Sequence, residues 1–343
     1  MSGKAGGTAV THDPRLTAGE IAALWTTHQE STMTECVYRH FLNNAAAPDI
    51  RAVVETDADI LRQRAAWVRS TFERENIPVP AGFKDEDVDP GAPRLYSDPF
   101  YLYYLVNKTR IAIAVNSMAL TTTARPDVRD FYYRCVQTTA DVFQRTADLM
   151  LEKGLPFRTP FIALSQAVDT VRKRNFLAGF FGDRRPLLAA EISSFSLLVR
   201  TNRFGKIFLA GLRQTAGSEK VREYLNEGVE LAESTAERFG SVLAREDLPV
   251  PASPPAAVTG SRQQPYSDKL IMSQLKYMNA AGLTDKAFIG TTSLRSDLIA
   301  IITKARADFS VYARKGIEIM IDNGWLDEPP RLLDRRELAE RMH

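Results

Sequence analysis

A di-metal carboxylate centre inside a helical bundle needs a Glu from each of two helices and a Glu-x-x-His pair from each of the other two. The histidines of this chain are His12, His28, His40 and His343. His28 and His40 stand twelve apart and cannot chelate one ion as an i, i+4 pair would, so both are expected at the surface. The carboxylates Glu30, Glu35, Glu55, Asp59, Asp130, Asp141 and Asp148 mostly follow basic neighbours and read as solvated faces. A degenerate di-metal oxidoreductase would have to draw on Glu30, Glu55 and Asp141. No catalytic residue, metal ligand or cofactor-binding residue is therefore assigned, and no cofactor is expected. Two cysteines, Cys36 and Cys135, are too few for a disulfide scaffold or a zinc cluster within one chain and are expected as small core residues. Neither G-x-S-x-G, G-x-x-x-x-G-K-[ST] nor H-E-x-x-H occurs, which removes the usual support for hydrolase, nucleotide-binding and zincin chemistry.

One local string stands out. In Gly179-Phe180-Phe181-Gly182-Asp183-Arg184-Arg185-Pro186 the glycines allow tight backbone paths and two Phe anchor them, while two Arg precede a helix start. Phe180, Phe181, Arg184 and Arg185 are the candidate anion site or inter-domain clasp, the clasp version placing the Arg pair against carboxylates of the first bundle. The aromatic run Phe100-Tyr101-Leu102-Tyr103-Tyr104, with Phe131-Tyr132-Tyr133, reads as packing within and between bundles. Asn107, Asn116 and Ser117 are candidates for a polar pocket.

The elements that position these residues are written twice. Glu20-Ile21 returns as Glu191-Ile192, Pro78-Val79-Pro80 as Pro249-Val250-Pro251, and Tyr96-Ser97-Asp98 as Tyr266-Ser267-Asp268. Arg125 and Asp127 return as Arg295 and Asp297, an offset of 170 to 171 residues throughout. Apolar spacing of three and four predicts four helices per copy: about 17–44, 48–76, 97–122 and 126–153, then 187–216, 219–244, 267–292 and 295–323. Thr17 with Glu20 forms a capping box, and Gly154 and Gly324 suit left-handed helix ends. Helices of this length span about 40 Å. The connection between the second and third helix takes about twenty proline-rich residues, enough to run the length of the bundle, and one such crossover is the ferritin-like arrangement. With it, the first and fourth helices run parallel and the two thiols differ in height by about 16 Å; without it they would be level.

At 343 residues, with 44 Lys and Arg against 42 Asp and Glu, the chain has the length for two domains and no global field favouring nucleic acid or an anionic membrane. No apolar run reaches the ~18 residues of a membrane span, and the start lacks a signal-peptide core, so a soluble cytoplasmic protein is expected. The layout is a frayed 1–15, a first bundle at 16–155, a linker arm at 156–186, a second bundle at 187–325 and a tail at 326–343. The arm is too apolar for a flexible tether and should pack on a bundle, with a short helix near 166–175.

These residues resemble the duplicated bacterial family catalogued as domain of unknown function 3231. The resemblance spans about Leu16 to Arg335. It rests on Glu20-Ile21 with Leu24-Trp25, the run Glu75 to Phe83, Asp87-Val88, Ala92 to Asp98, Asp127 to Phe131, the Gly179 to Pro186 string, and Asn323-Gly324-Trp325. It implies a ferritin-like bundle related to spore coat F type proteins, with His in relatives where Arg64 and Thr235 stand here. The fold expected is all-α: two tandem ferritin-like four-helix bundles from an internal duplication, joined by an ordered apolar linker. The function expected is a non-catalytic structural or interaction protein, spore-associated, with spore-coat components or further copies of itself as partner. The alternatives are the di-metal oxidoreductase and a small-molecule or lipid-binding module with its pocket at the bundle interface.

Overall fold

The computed structural model describes residues 15–155, 158–163, 168, 170–180 and 184–332. Among them the only regular elements besides two short 3-10 turns are eight α-helices. The first half holds α1 (Ala18–Asn44), α2 (Pro48–Arg74), α3 (Asp98–Thr122) and α4 (Pro126–Glu152). The second holds α5 (Ala189–Thr215), α6 (Glu219–Ala244), α7 (Asp268–Thr292) and α8 (Ser296–Asp322). Thr17 caps α1 through the expected box with Glu20, and Gly154 and Gly324 take positive φ just past α4 and α8. Among the described residues no helix is long and apolar enough to cross a membrane.

Core composition fixes the topology. One distal core gathers Leu24 from early α1, Phe72 from late α2, Ala119 from late α3 and Val128 and Cys135 from early α4. The opposite layer gathers Phe41, Ile50, Phe100 and Met150, from late α1, early α2, early α3 and late α4. Hence α1 and α4 run one way and α2 and α3 the other, which requires the long crossover. Cys36 and Cys135 fall in different layers, as this arrangement demands. The crossover climbs along α1: Thr32 Oγ1 accepts from the Phe83 N–H, Asn43 donates to the Pro90 carbonyl and Asn44 to that of Ala92. Asp98 then ties the start of α3 to the α1–α2 turn by accepting from the Ala46 and Ala47 N–H groups, and Asp268 does the same for Gly217 and Ser218.

The two crossovers meet. Val88 bridges Tyr266, and Tyr96 bridges Val258; these are one contact seen twice, because Val88 corresponds to Val258 and Tyr96 to Tyr266. Tyr104 likewise donates to Gln274, its own repeat counterpart, at 3.4 Å, so that pair marks a pseudo-twofold axis. Around it one core runs through both halves, with Phe100 stacked on Tyr96 at 3.7 Å and on Phe204 at 5.3 Å. Burying a large apolar side chain contributes about 1.5–3 kcal/mol, and five seam aromatics together approach the ~5–15 kcal/mol net stability of a whole domain. The halves therefore do not part while staying folded.

The linker departs from expectation. Residues 170–173 are not helical, a single 3-10 turn at Arg174–Leu177 stands where the end of a short helix was predicted, and 164–167 and 169 lie outside the described residues. Phe161, Val171, Leu177 and Phe180 are exposed, and among the arm's described residues Ile162 packs on the distal core of the second half. A short helix with no buried face lacks the packing that would repay its nucleation.

Gly211, on α5, lies against the ring of Tyr96, and a Cβ there would overlap it; Gly205, two turns earlier on the same helix, has nothing nearby. Gly211→Ala is expected to cost about 1–3 kcal/mol by overpacking the seam. Gly205→Ala should be neutral or stabilise by about 0.5–1 kcal/mol, as an ordinary helical replacement does. Urea unfolding of the two variants measures the contrast.

Candidate functional site

The divergence of the two copies opens a cavity. Inside the first half Asp57, buried on α2, accepts from Tyr38 of α1 at 2.8 Å and from Lys108 of α3 at 3.0 Å. The corresponding positions of the second half are Gly228, Leu209 and Met278, and Leu61 is replaced by Ala232. Tyr312, where the first copy has Val142, fills the space beside Gly228, and Met278 matches Lys108 in length, but Leu209 and Ala232 are smaller than Tyr38 and Leu61. The result is a cavity of about 420 Å³ that penetrates the second bundle and opens onto α1 and α3 of the first. Its walls are mainly apolar, with Met33, Leu209, Leu275, Met278, Phe309 and Tyr312 among them.

Charged groups ring this apolar space, and most are paired. Lys108 adds Glu30 of α1, at 3.7 Å, to its bond with Asp57. Arg110 of α3 grips Asp285 of α7 with two bonds of 2.9 and 2.8 Å, a forked contact that also joins the halves. Lys286 is different. It is 2% exposed, its ammonium lies over the Phe309 ring at 3.6 Å, and it donates to the Gly282 carbonyl at 3.3 Å. Among the described residues no carboxylate comes within 4 Å of it, and burial pulls its pKa down to about 8 against a weaker opposing pull from Asp285. Gln274 is also buried in the wall; its carbonyl oxygen is taken by Tyr104, while its Nε2 has no partner.

The residues singled out in the sequence have other places. Arg185 forms two 2.8 Å bonds with Glu191 and stacks on Phe176, so its carboxylate comes from the second half rather than the first. The reason is local: Glu191 sits six residues on, at the N3 position of α5, where it also accepts from the Leu188 N–H. Arg184 and Phe180 are exposed, and Phe181 lies outside the described residues. His28 and His40 are buried, not on the surface as expected, because the crossover is laid over the face of α1 that carries them. His40 lies between the Pro93 carbonyl and the Tyr266 hydroxyl, at the seam. His28 packs under Gly82 with neither ring nitrogen partnered, and burial, then Arg69, pushes its pKa down to about 4. Both thiols are buried and pushed up, Cys36 to about 12 and Cys135 to about 11.

Of the di-metal candidates, Glu55 and Asp141 are exposed while Glu30 faces the cavity, so the three do not converge; among the described residues no group of three or more His, Cys, Asp or Glu is placed to hold a metal ion. Asn107 and Asn116 line the cavity, Ser117 does not. Asp57, Lys108, Gln274 and Lys286 were missed. A position-by-position comparison of the copies carries the signal, since Tyr38 against Leu209 and Leu61 against Ala232 are losses of volume at helix faces that both copies bury.

The family described as Protein of unknown function (DUF3231) matches residues 5–168 and again residues 175–338. No curated protein matches the chain. Among solved structures, a candidate spore coat protein from Bacillus halodurans C-125 is 19% identical, over 44% of this chain and 98% of that one, with a TM-score of 0.42.

Lys108→Met, the residue of the second copy, leaves Asp57 buried without its cation and is expected to cost about 3–5 kcal/mol in chemical denaturation. Adding Asp57→Gly should recover part of that loss. For His28, the unfolded chain takes up a proton near pH 6.5 and the folded chain only near 4, so the unfolded state binds more protons in between and stability falls as the pH drops. The His28 share should reach up to roughly 3 kcal/mol, so His28→Val should lose correspondingly less stability than the unaltered protein between pH 7 and pH 4.5 in unfolding curves, the remainder coming from His40 and the buried carboxylates.

Proposed function

This chain belongs to the DUF3231 family, which it matches twice in tandem, and from that premise we propose that it is a non-catalytic binding protein enclosing a small, mainly apolar molecule between its halves. The observation that carries the reading is a one-sided loss of filling side chains: Leu209 and Ala232, both in the cavity wall, stand in the second bundle where the larger Tyr38 and Leu61 stand in the first. Cavities of ~300–1,000 Å³ with mostly apolar walls and a few convergent polar groups are the usual form of small-molecule sites. The ionic groups around this one are largely engaged with each other, Lys108 with Asp57 and Arg110 with Asp285, which suits holding a ligand better than activating it. The single long crossover supports placing each half in the ferritin-like class, with the interior given over to packing in one copy and to a guest in the other.

The neutral fluorophore N-phenyl-1-naphthylamine tests this. The protein is expected to bind it with a blue-shifted emission, and Ala232→Leu, which restores the side chain of the first copy, should weaken binding at least tenfold while leaving the thermal midpoint equal or higher. Unchanged binding in Ala232→Leu, or no binding to the unaltered protein, would overturn the reading.

A further inference from the structure

Resting on that reading, we infer that the occupant of the cavity is a long-chain carboxylate whose head group is held by Lys286. Along α7 the wall runs from Gln274 to Lys286, twelve residues and thus ~18 Å of helix. Between these ends the surface offered by α5, α7 and α8 is mainly apolar, with Leu209, Leu275, Met278, Phe309 and Tyr312, while Asn279 of α7 donates away to the Tyr224 hydroxyl. A slot of that length with polar groups at its ends takes an extended chain rather than a compact ring.

The two ends are not equivalent. At one, the Gln274 Nε2 is an unpartnered neutral donor. At the other, Lys286 is a buried cation whose contacts are one carbonyl and one ring face. The neighbouring carboxylate of Asp285 is already gripped from two sides by Arg110, and Glu30 lies beside Lys108, so the nearby acids are engaged elsewhere. A buried ammonium is costly unless paired, and charge-assisted hydrogen bonds are about twice as strong as neutral ones. The anionic head therefore goes to Lys286 and the chain lies toward Gln274, whose free N–H would meet any oxygen carried at the far end. The position is specific to this half: the first copy has Asn116 there, donating to Thr139.

The test displaces N-phenyl-1-naphthylamine with dodecanoate and with dodecanol at pH 7, using the full chain and the Lys286→Met and Lys286→Arg variants. Lys286→Met removes a buried charge and is expected to fold. The unaltered protein should bind dodecanoate at least tenfold more tightly than dodecanol. Lys286→Met should abolish that preference with dodecanol unaffected, and Lys286→Arg should retain most of it. Equal affinity for acid and alcohol, or a preference that survives Lys286→Met, would overturn the head-group assignment and leave the cavity as a binding site. Displacement by neither chain while the fluorophore still binds would overturn the long-chain class. Failure of the fluorophore itself to bind would overturn the reading of the cavity on which this one rests.

Discussion

The seam between the two halves is the constraint from which the rest of this structure follows. Each bundle reverses α2 into a parallel α3, and the connection must return the full length of the helices before α3 can begin. Each returning strand of chain delivers a tyrosine, Tyr96 or Tyr266, to the opposite half, where it donates to the Phe208 carbonyl or meets His40. The main-chain bonds Thr259 to Leu95 and Ser267 to Asp87 lock the exchange in place. The arrangement is that of an isologous dimer contained in one chain: patch i meets patch j, and j meets i.

Fusing such a dimer releases a restriction. In a true twofold dimer any residue that hollows one bundle hollows both, and the cost is incurred twice. A tandem chain can change one copy alone. Here the first copy keeps the ionic cluster of Asp57, Lys108 and Tyr38 at the edge of the cavity, while the second has Gly228, Met278 and Leu209 in their places and opens toward α1 and α3. His40 and its counterpart Gly211 show the same freedom at the seam: one position supplies a ring to hydrogen-bond the incoming tyrosine, and the other removes its side chain altogether so that the tyrosine can approach the helix.

Much of the fold was legible because it is encoded locally and twice. The Thr17 capping box, the glycines that end α4 and α8, and the proline-rich crossover each mark an end by a mechanism confined to a few residues, and the predicted helices end within two residues of the observed ones. The repeat landmarks turned out to be joints rather than chemistry. Glu20 accepts from the N–H groups of Ala124 and Arg125, and Arg125 bonds Glu75, so this set ties three chain segments at one end of the first bundle. The burial of His28 and His40 was not legible, because nothing local says which face of α1 the crossover will cover. The cavity was hidden for a related reason: its walls come from six helices, and the smaller Leu209 and Ala232 show as a deficit only when the two copies are set position against position.

The volume of that cavity argues against its being a tolerated packing fault. If it were enclosed and dry, a void of about 420 Å³ at ~24 cal/mol per Å³ would cost about 10 kcal/mol, comparable to the whole net stability of a domain. A fold that carries such a space must let it fill, and the polar groups on its wall, with Lys286 and the Gln274 amide among them, give water a footing when no other guest is present. Water held along an otherwise apolar slot is poorly satisfied, and an extended apolar chain that displaces it gains from its release. The apolar wall thus supplies affinity without selecting one chain from another, while the buried ammonium, the one cation here with no carboxylate within ion-pair distance among the described residues, supplies the discrimination.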